Sequence, residues 1–212
     1  LKGFFEWQLE NELRNGRIPA GGKVAPKIIN KNHEAITQKE LETLYNNTKN
    51  DQERMAIALM GYAGMRIGEV IGIGTTNHIY QDKNNELAIH LSETKGGKER
   101  KITLAHIPEQ ELLKEIYNQG GFKGQRGALT ENGLWRRLKK NFNAMGFKEL
   151  SPHDLRATFG TILVENDVNI AIVRDVLGHS SLQGNEITSR YVSTTSVEKQ
   201  AEKLKEVFQC HQ

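Results

Sequence analysis

The apolar positions of this chain change their period several times along its length. Phe4, Phe5, Trp7, Leu9 and Leu13 predict a first helix. Pro19, Gly21, Gly22 and Pro26 then break the pattern into a linker, and a domain boundary is expected near Asn32. The T-x-x-E run from Thr37 to Glu40 is a capping box, and Leu41, Leu44 and Tyr45 supply the apolar face of the helix it opens. A more deeply buried helix follows in "DQERMAIALMGYAGMRIGEVIGI", interrupted around Gly61–Gly64, so that Arg66 stands just after a break. "HIYQ", "ELAIHLS" and "RKITLA" have strand composition, and the last two flank "ETKGGKE", a hairpin turn built on Gly96 and Gly97.

The second half returns to helical spacing. Leu134, Leu138 and Phe142 form one face of a helix whose remaining surface is crowded by Arg136, Arg137, Lys139 and Lys140. "PHDLRATFGTILVEN" and "NIAIVRDVLGH" predict two more helices, the second stopped by Gly178. A last helix, from about Thr195 to Phe208, carries Val197, Ala201, Leu204 and Val207 or Phe208 on its apolar side. The pattern contains no internal repeat. The expected fold class is mainly α with a small antiparallel β-sheet.

Composition narrows the setting. The 212 residues suffice for one large domain with its own core, or one domain and a piece of another. No apolar run is long enough to span a bilayer, and no signal peptide is visible. Cys210 is the one cysteine, which excludes a disulfide framework and points to a reducing, cytoplasmic compartment. The formal charge of +3 is compatible with a polyanionic partner, and equally with an ordinary solvated surface.

The residues able to carry chemistry are cations, imidazoles and a tyrosine. His153 and Arg156 stand at i and i+3, on one helix face, where a proton donor and a planar fork of N–H groups make an anion site or an idle surface pair. Arg66 is followed three residues later by Glu69, which either orients the guanidinium or a nearby backbone group, or forms an ordinary ion pair of little value. Lys95 opens the glycine hairpin with Lys98, Arg100 and Lys101 behind it, placed to reach a phosphate or to blunt an exposed strand edge. His179 follows the helix-ending Gly178, and Tyr191 sits on the polar segment "SRYVS". Motifs for metal ligation, a nucleotide cradle or a serine elbow are absent from the sequence, so neither metal nor cofactor is expected.

Taken in order, "GMRIGEV", "ETKGGKERKITL", "HDLRATFGTIL", "VRDVLGHSS" and "SRYVS" resemble the five boxes of the catalytic domain of the tyrosine recombinases, the phage integrase family. The resemblance runs roughly from Ala35 to Phe208. It implies the DNA breaking-rejoining fold over residues 33–212, tail helix included. Residues 1–32 are then the end of a helical core-binding domain plus linker. Arg66, Lys95, His153, Arg156, His179 and Tyr191 become the catalytic set, with Lys98, Arg100, Arg136, Arg137 and Lys139 as DNA contacts.

The implied reaction is attack of Tyr191 on a phosphodiester of double-stranded DNA, giving a 3′-phosphotyrosine and a free 5′-hydroxyl, without metal or ATP. Forming the phenolate at pH 7 costs roughly 4 kcal/mol, so a neighbouring base or cation must offset it, and His153 is the candidate. Arg66 and Arg156 would neutralise the phosphorane-like transition state, His179 would add a hydrogen bond, and Lys95 would protonate the leaving oxygen.

A site-specific integrase of a mobile element is the leading expectation, acting at the nucleoid of a bacterial cytoplasm. It would work as a homo-tetramer joined through the C-terminal helix, or as a monomer when DNA is absent. A type IB topoisomerase and a DNA-binding module without catalysis are the alternatives. The segment between His179 and Tyr191 is a few residues longer than the family pattern, around Gly184 and Asn185.

Overall fold

The structure is a computed structural model that describes residues 35–92, 99–125, 127–178 and 197–209. Internal contacts divide the chain into Leu1–Asn32 and His33–Gln212, and every described residue belongs to the second unit.

Helix α1 (Gln38–Asn47) begins as its capping box requires. The Thr37 hydroxyl accepts the Glu40 N–H at 3.3 Å, and the Glu40 carboxylate accepts the Thr37 N–H at 2.8 Å. Helix α2 (Asp51–Gly61) is the centre of the molecule: Met55 to Gly61 are buried on all sides, which is why its apolar residues follow no single stripe. The predicted interruption is real. The chain leaves α2 at Gly61 and resumes in a short helix α3 (Ile67–Ile71). Gly64 turns the corner at φ +62°, and a Cβ there would lie 2.5 Å from the Phe159 ring.

Strands β1 (His78–Gln81), β2 (Leu87–Leu91) and β3 (Arg100–Thr103) form one antiparallel sheet in chain order. Leu91 stands opposite Arg100 and Ile89 opposite Ile102. Helix α4 (Gln110–Asn118), which buries Leu113 and Ile116, and the two-residue strands β4 (Lys123–Gly124) and β5 (Gly127–Ala128) were not among the sequence expectations. Helix α5 (Glu131–Ala144) buries the foreseen Leu134, Leu138 and Phe142. Helices α6 (Pro152–Glu165) and α7 (Ile170–Leu177) complete the core, α6 lying along α2. Gly178 ends α7 in the left-handed region at φ +61°, as a C-terminal glycine does.

Helix α8 (Val197–Gln209) packs on its own domain, against β3. Leu204, Val207 and Phe208 are buried, and Lys205 pairs with Glu86. The Phe208 ring stacks on His106 at 5.5 Å and on Phe159 at 5.9 Å, and meets Tyr62 edge-on at 5.5 Å. Burial pushes the pKa of His106 down to about 4, so a neutral imidazole lies under the helix. Among the described residues no helix is long and apolar enough to cross a membrane.

Candidate functional site

The break between α2 and α3 builds the first half of the site. Arg66 has extended backbone at φ −75° and ψ 151°, immediately before α3. Glu69, one turn into that helix, reaches back: one carboxylate oxygen accepts the Arg66 backbone N–H at 2.7 Å and the other accepts Nη1 of its guanidinium at 2.9 Å. Glu69 therefore orients both the backbone and the side chain of Arg66. With its side chain only 3% exposed, it is no ordinary surface pair.

The second half comes from α6. Pro152 opens this helix, and the buried Asp154 carboxylate accepts the Ser151 N–H at 2.7 Å, which fixes the first turn. His153 lies exposed in that turn, and Arg156 lies half-buried three residues on. Both Nη groups of Arg156 make a positioning contact, and each keeps a second N–H. One Nη donates to the Gly64 carbonyl, at the corner before Arg66, and the other donates to the Leu177 carbonyl at the end of α7. Thus Arg156 ties the break that carries Arg66 to the turn that leads into His179.

Arg100 enters the same cluster. The sequence groups it with DNA contacts, but the fold takes its side chain inside, where it is 10% exposed. Its two Nη groups meet the two Glu69 oxygens at 2.7 and 2.8 Å, a bidentate clasp. Strand alternation was the available signal: Arg100 lies on the same face of β3 as Ile102, while Lys101 points outward over the Tyr80 ring at 5.9 Å.

The electrostatics follow from this packing. Burial pushes the Arg156 pKa down, the Arg66 and Arg100 charges push the same way, and Glu69 opposes them; the result is about 9, still cationic at neutral pH. Burial disfavours the Glu69 carboxylate, but hydrogen bonds and charge from Arg100 and Arg66 outweigh it and hold its pKa below the usual range. Two guanidinium groups, those of Arg66 and Arg100, bond to the Glu69 carboxylate, and a third, that of Arg156, lies near enough to feel its charge. The surplus of positive charge is what a phosphate, gaining charge in a transition state, would neutralise.

Other expected contacts divide. On α5, Arg136 is exposed. Arg137 donates to the Lys123 carbonyl at 3.4 Å, and the Lys139 ammonium donates to the Lys148 and Leu150 carbonyls at 2.5 and 2.8 Å. Lys139 therefore ties the α5–α6 connection together, and Arg136 is the more available cation. Lys95, Lys98, His179 and Tyr191 lie outside the described residues, as do residues 1–34.

The model of the phage integrase family matches residues 34–197, most of the chain. The chain belongs to the phage integrase family. Among curated members, it is 30% identical over 210 residues to tyrosine recombinase XerA of Pyrococcus furiosus, covering 90% of this chain and 66% of that protein. It is 26% identical over 220 residues to tyrosine recombinase XerD of Halalkalibacterium halodurans, covering 92% and 69%. The chain thus spans about two thirds of these relatives.

Solved tyrosine recombinase structures share the fold. The integrase from mycobacterium phage Brujita superposes with a TM-score of 0.60 at 18% identity, over 97% of this chain and 68% of that one. The XerH recombinase bound to its difH substrate gives 0.58 at 22% identity, over 76% and 54%. The helix-rich domain with a small antiparallel sheet is therefore the tyrosine recombinase catalytic fold.

Proposed function

We propose that the chain is the catalytic part of a site-specific DNA recombinase of a mobile element, which cuts and rejoins duplex DNA through a 3′-phosphotyrosine at Tyr191. The observation that carries this reading is the cluster of Arg66, Arg100 and Arg156 around Glu69, a preorganised cationic site at the junction of three chain segments. In the proposed step, the Tyr191 phenol gives its proton toward His153 and its oxygen bonds to phosphorus. The 5′-oxygen leaves and takes a proton from Lys95. Arg66, Arg156 and His179 hold the non-bridging oxygens while negative charge grows on them. A 5′-hydroxyl from a second strand reverses the step and restores the phosphodiester. The phosphotyrosine conserves the bond energy, so no nucleotide is consumed.

The proposed partner is double-stranded DNA, a reading supported by the XerH recombinase, whose structure is bound to its difH substrate. Lys98, Arg136 and Arg137 are the proposed backbone contacts, and the site of action is the DNA of a bacterial cytoplasm. The test is a duplex nicked beside the cleavage position, taken from the junctions of the element that carries the gene. Covalent adduct is expected to form in EDTA and without ATP, because arginines occupy the place where charge must be neutralised. Loss of adduct on chelation, restored by a divalent ion alone, would refute this chemistry. Adduct with supercoil relaxation but no strand exchange would identify a type IB topoisomerase.

Exchange between two duplexes needs four cleavages, and hence four protomers. We assign α8 as the element passed between them. In the isolated chain it covers its own domain through Leu204, Val207 and Phe208, a position that suits a monomer away from DNA. Truncation after Ser196 is expected to alter single-strand cleavage modestly and abolish complete recombination. It also uncovers the Tyr62, His106 and Phe159 surface, and burying one aromatic ring of this kind is worth about 3 kcal/mol, so the melting temperature should fall. Recombination at full efficiency by the truncated protein would remove α8 from the assembly.

A further inference from the structure

We propose that Arg100 is a positioning residue of the cleavage site, which neutralises Glu69 so that the Arg66 guanidinium stays available to a phosphate, and which braces the turn into His179. This proposal rests on the functional reading above.

The charge on Glu69 sets the requirement. A carboxylate bonded to Arg66 alone would form a closed, neutral pair, and an incoming phosphate would have to compete with it. In the structure the two Glu69 oxygens are clasped bidentately by Arg100, and Arg66 shares one of them through a single Nη. The second Arg66 Nη has no hydrogen-bond partner among the described residues. Glu69 can then fix where Arg66 lies without cancelling its charge.

The second role comes from position. A Cβ built on Gly178 would fall 2.9 Å from both Cδ and Nη1 of Arg100, so the guanidinium lies directly under the glycine that precedes His179. Because Glu69 pins this side chain, it cannot easily yield. One residue of β3 therefore touches the α3 segment that orients Arg66 and the α7 cap that leads to His179. Arg156 spans the same two segments through the Gly64 and Leu177 carbonyls. With its side chain only 10% exposed and its Nε buried without a partner among the described residues, Arg100 is built to hold neighbours.

The prediction separates charge compensation from a direct DNA contact. In the full-length protein, Arg100→Gln should lower the single-turnover cleavage rate of a nicked duplex by at least about tenfold, with the salt dependence of binding unchanged, because no counterion-releasing contact is lost. Glu69→Gln added to it should recover most of that rate, since an amide still accepts the Arg66 backbone N–H but carries no charge to compensate. A flattened salt dependence without recovery in the double variant would make Arg100 a phosphate contact and overturn the proposal. Arg100→Lys, which keeps the charge but not the fork, is expected to fall between wild type and Arg100→Gln, and serves if the latter does not fold.

If the wild type forms no adduct, the functional reading fails, and a DNA-free measurement decides the role of Arg100. Thermal unfolding titrated with inorganic phosphate should show stabilisation of the wild type, at least halved in Arg100→Gln and regained in the double variant. Identical phosphate responses in all three would overturn the proposal.

Discussion

Tyr191→Phe is expected to abolish covalent attachment to DNA while leaving affinity within about twofold of wild type, because affinity rests on cations at the phosphate backbone and the substitution removes one hydroxyl. The effect should be all-or-none for chemistry. Phenylalanine keeps the ring, and with it any packing the side chain contributes, but has no oxygen to bond to phosphorus. Two of the other tyrosines are also poorly suited to ionise. Burial pushes the phenols of Tyr45 and Tyr62 above their ordinary pKa, and Glu109 adds to the shift at Tyr45 through a 2.9 Å hydrogen bond. The measurement is a denaturing gel of protein and labelled nicked duplex. An adduct formed by the variant at any substantial level would show that another residue is the nucleophile, and that the lengthened segment before Tyr191 has a different role.

Arg66→Ala and Arg156→Ala are each expected to slow cleavage by roughly a hundred- to a thousandfold, the usual consequence of removing one donor aimed at transition-state charge. Their effects on stability should differ, and the difference is a test of the geometry. Removing Arg66 leaves Glu69 still clasped by Arg100, so the fold should lose less than it does when Arg156 is removed. Removing Arg156 strips the donors from the Gly64 and Leu177 carbonyls, and unpaired half-buried acceptors cost about 1–3 kcal/mol. Single-turnover rates, duplex affinity and urea midpoints on both variants separate these terms. Equal losses of affinity and rate would mark both arginines as ordinary backbone contacts. Equal stabilities would mean that Arg156 does not tie the two segments together.

The sequence by itself determined the order of elements and the identity of the chemical groups. Capping at Thr37, the corner at Gly64 and the stop at Gly178 are local signals: the first is a hydrogen-bond exchange within four residues, and the other two use a left-handed backbone that few residues other than glycine adopt, so they were readable without a partner. The types and spacing of Arg66, His153 and Arg156 were equally readable, but by themselves they left an anion site and an idle pair both open. Helix α4 was legible but missed: Leu112, Leu113, Ile116 and Tyr117 stand at helical spacing between Pro108 and Gly120, and all four pack on the core.

Only the tertiary structure decided what each cation does. Arg100 and Lys139 look like surface charges in one dimension. One is drawn into the interior by a carboxylate 31 positions away, and the other is held by carbonyls of the next connection. The partnership of Arg156 with Gly64 spans 92 positions and that of Arg100 with Glu69 crosses from a strand to a helix, so no period in the chain reports them. A charge acquires its role from the acceptors within a few ångströms of it, and those acceptors are chosen by packing, not by sequence neighbours.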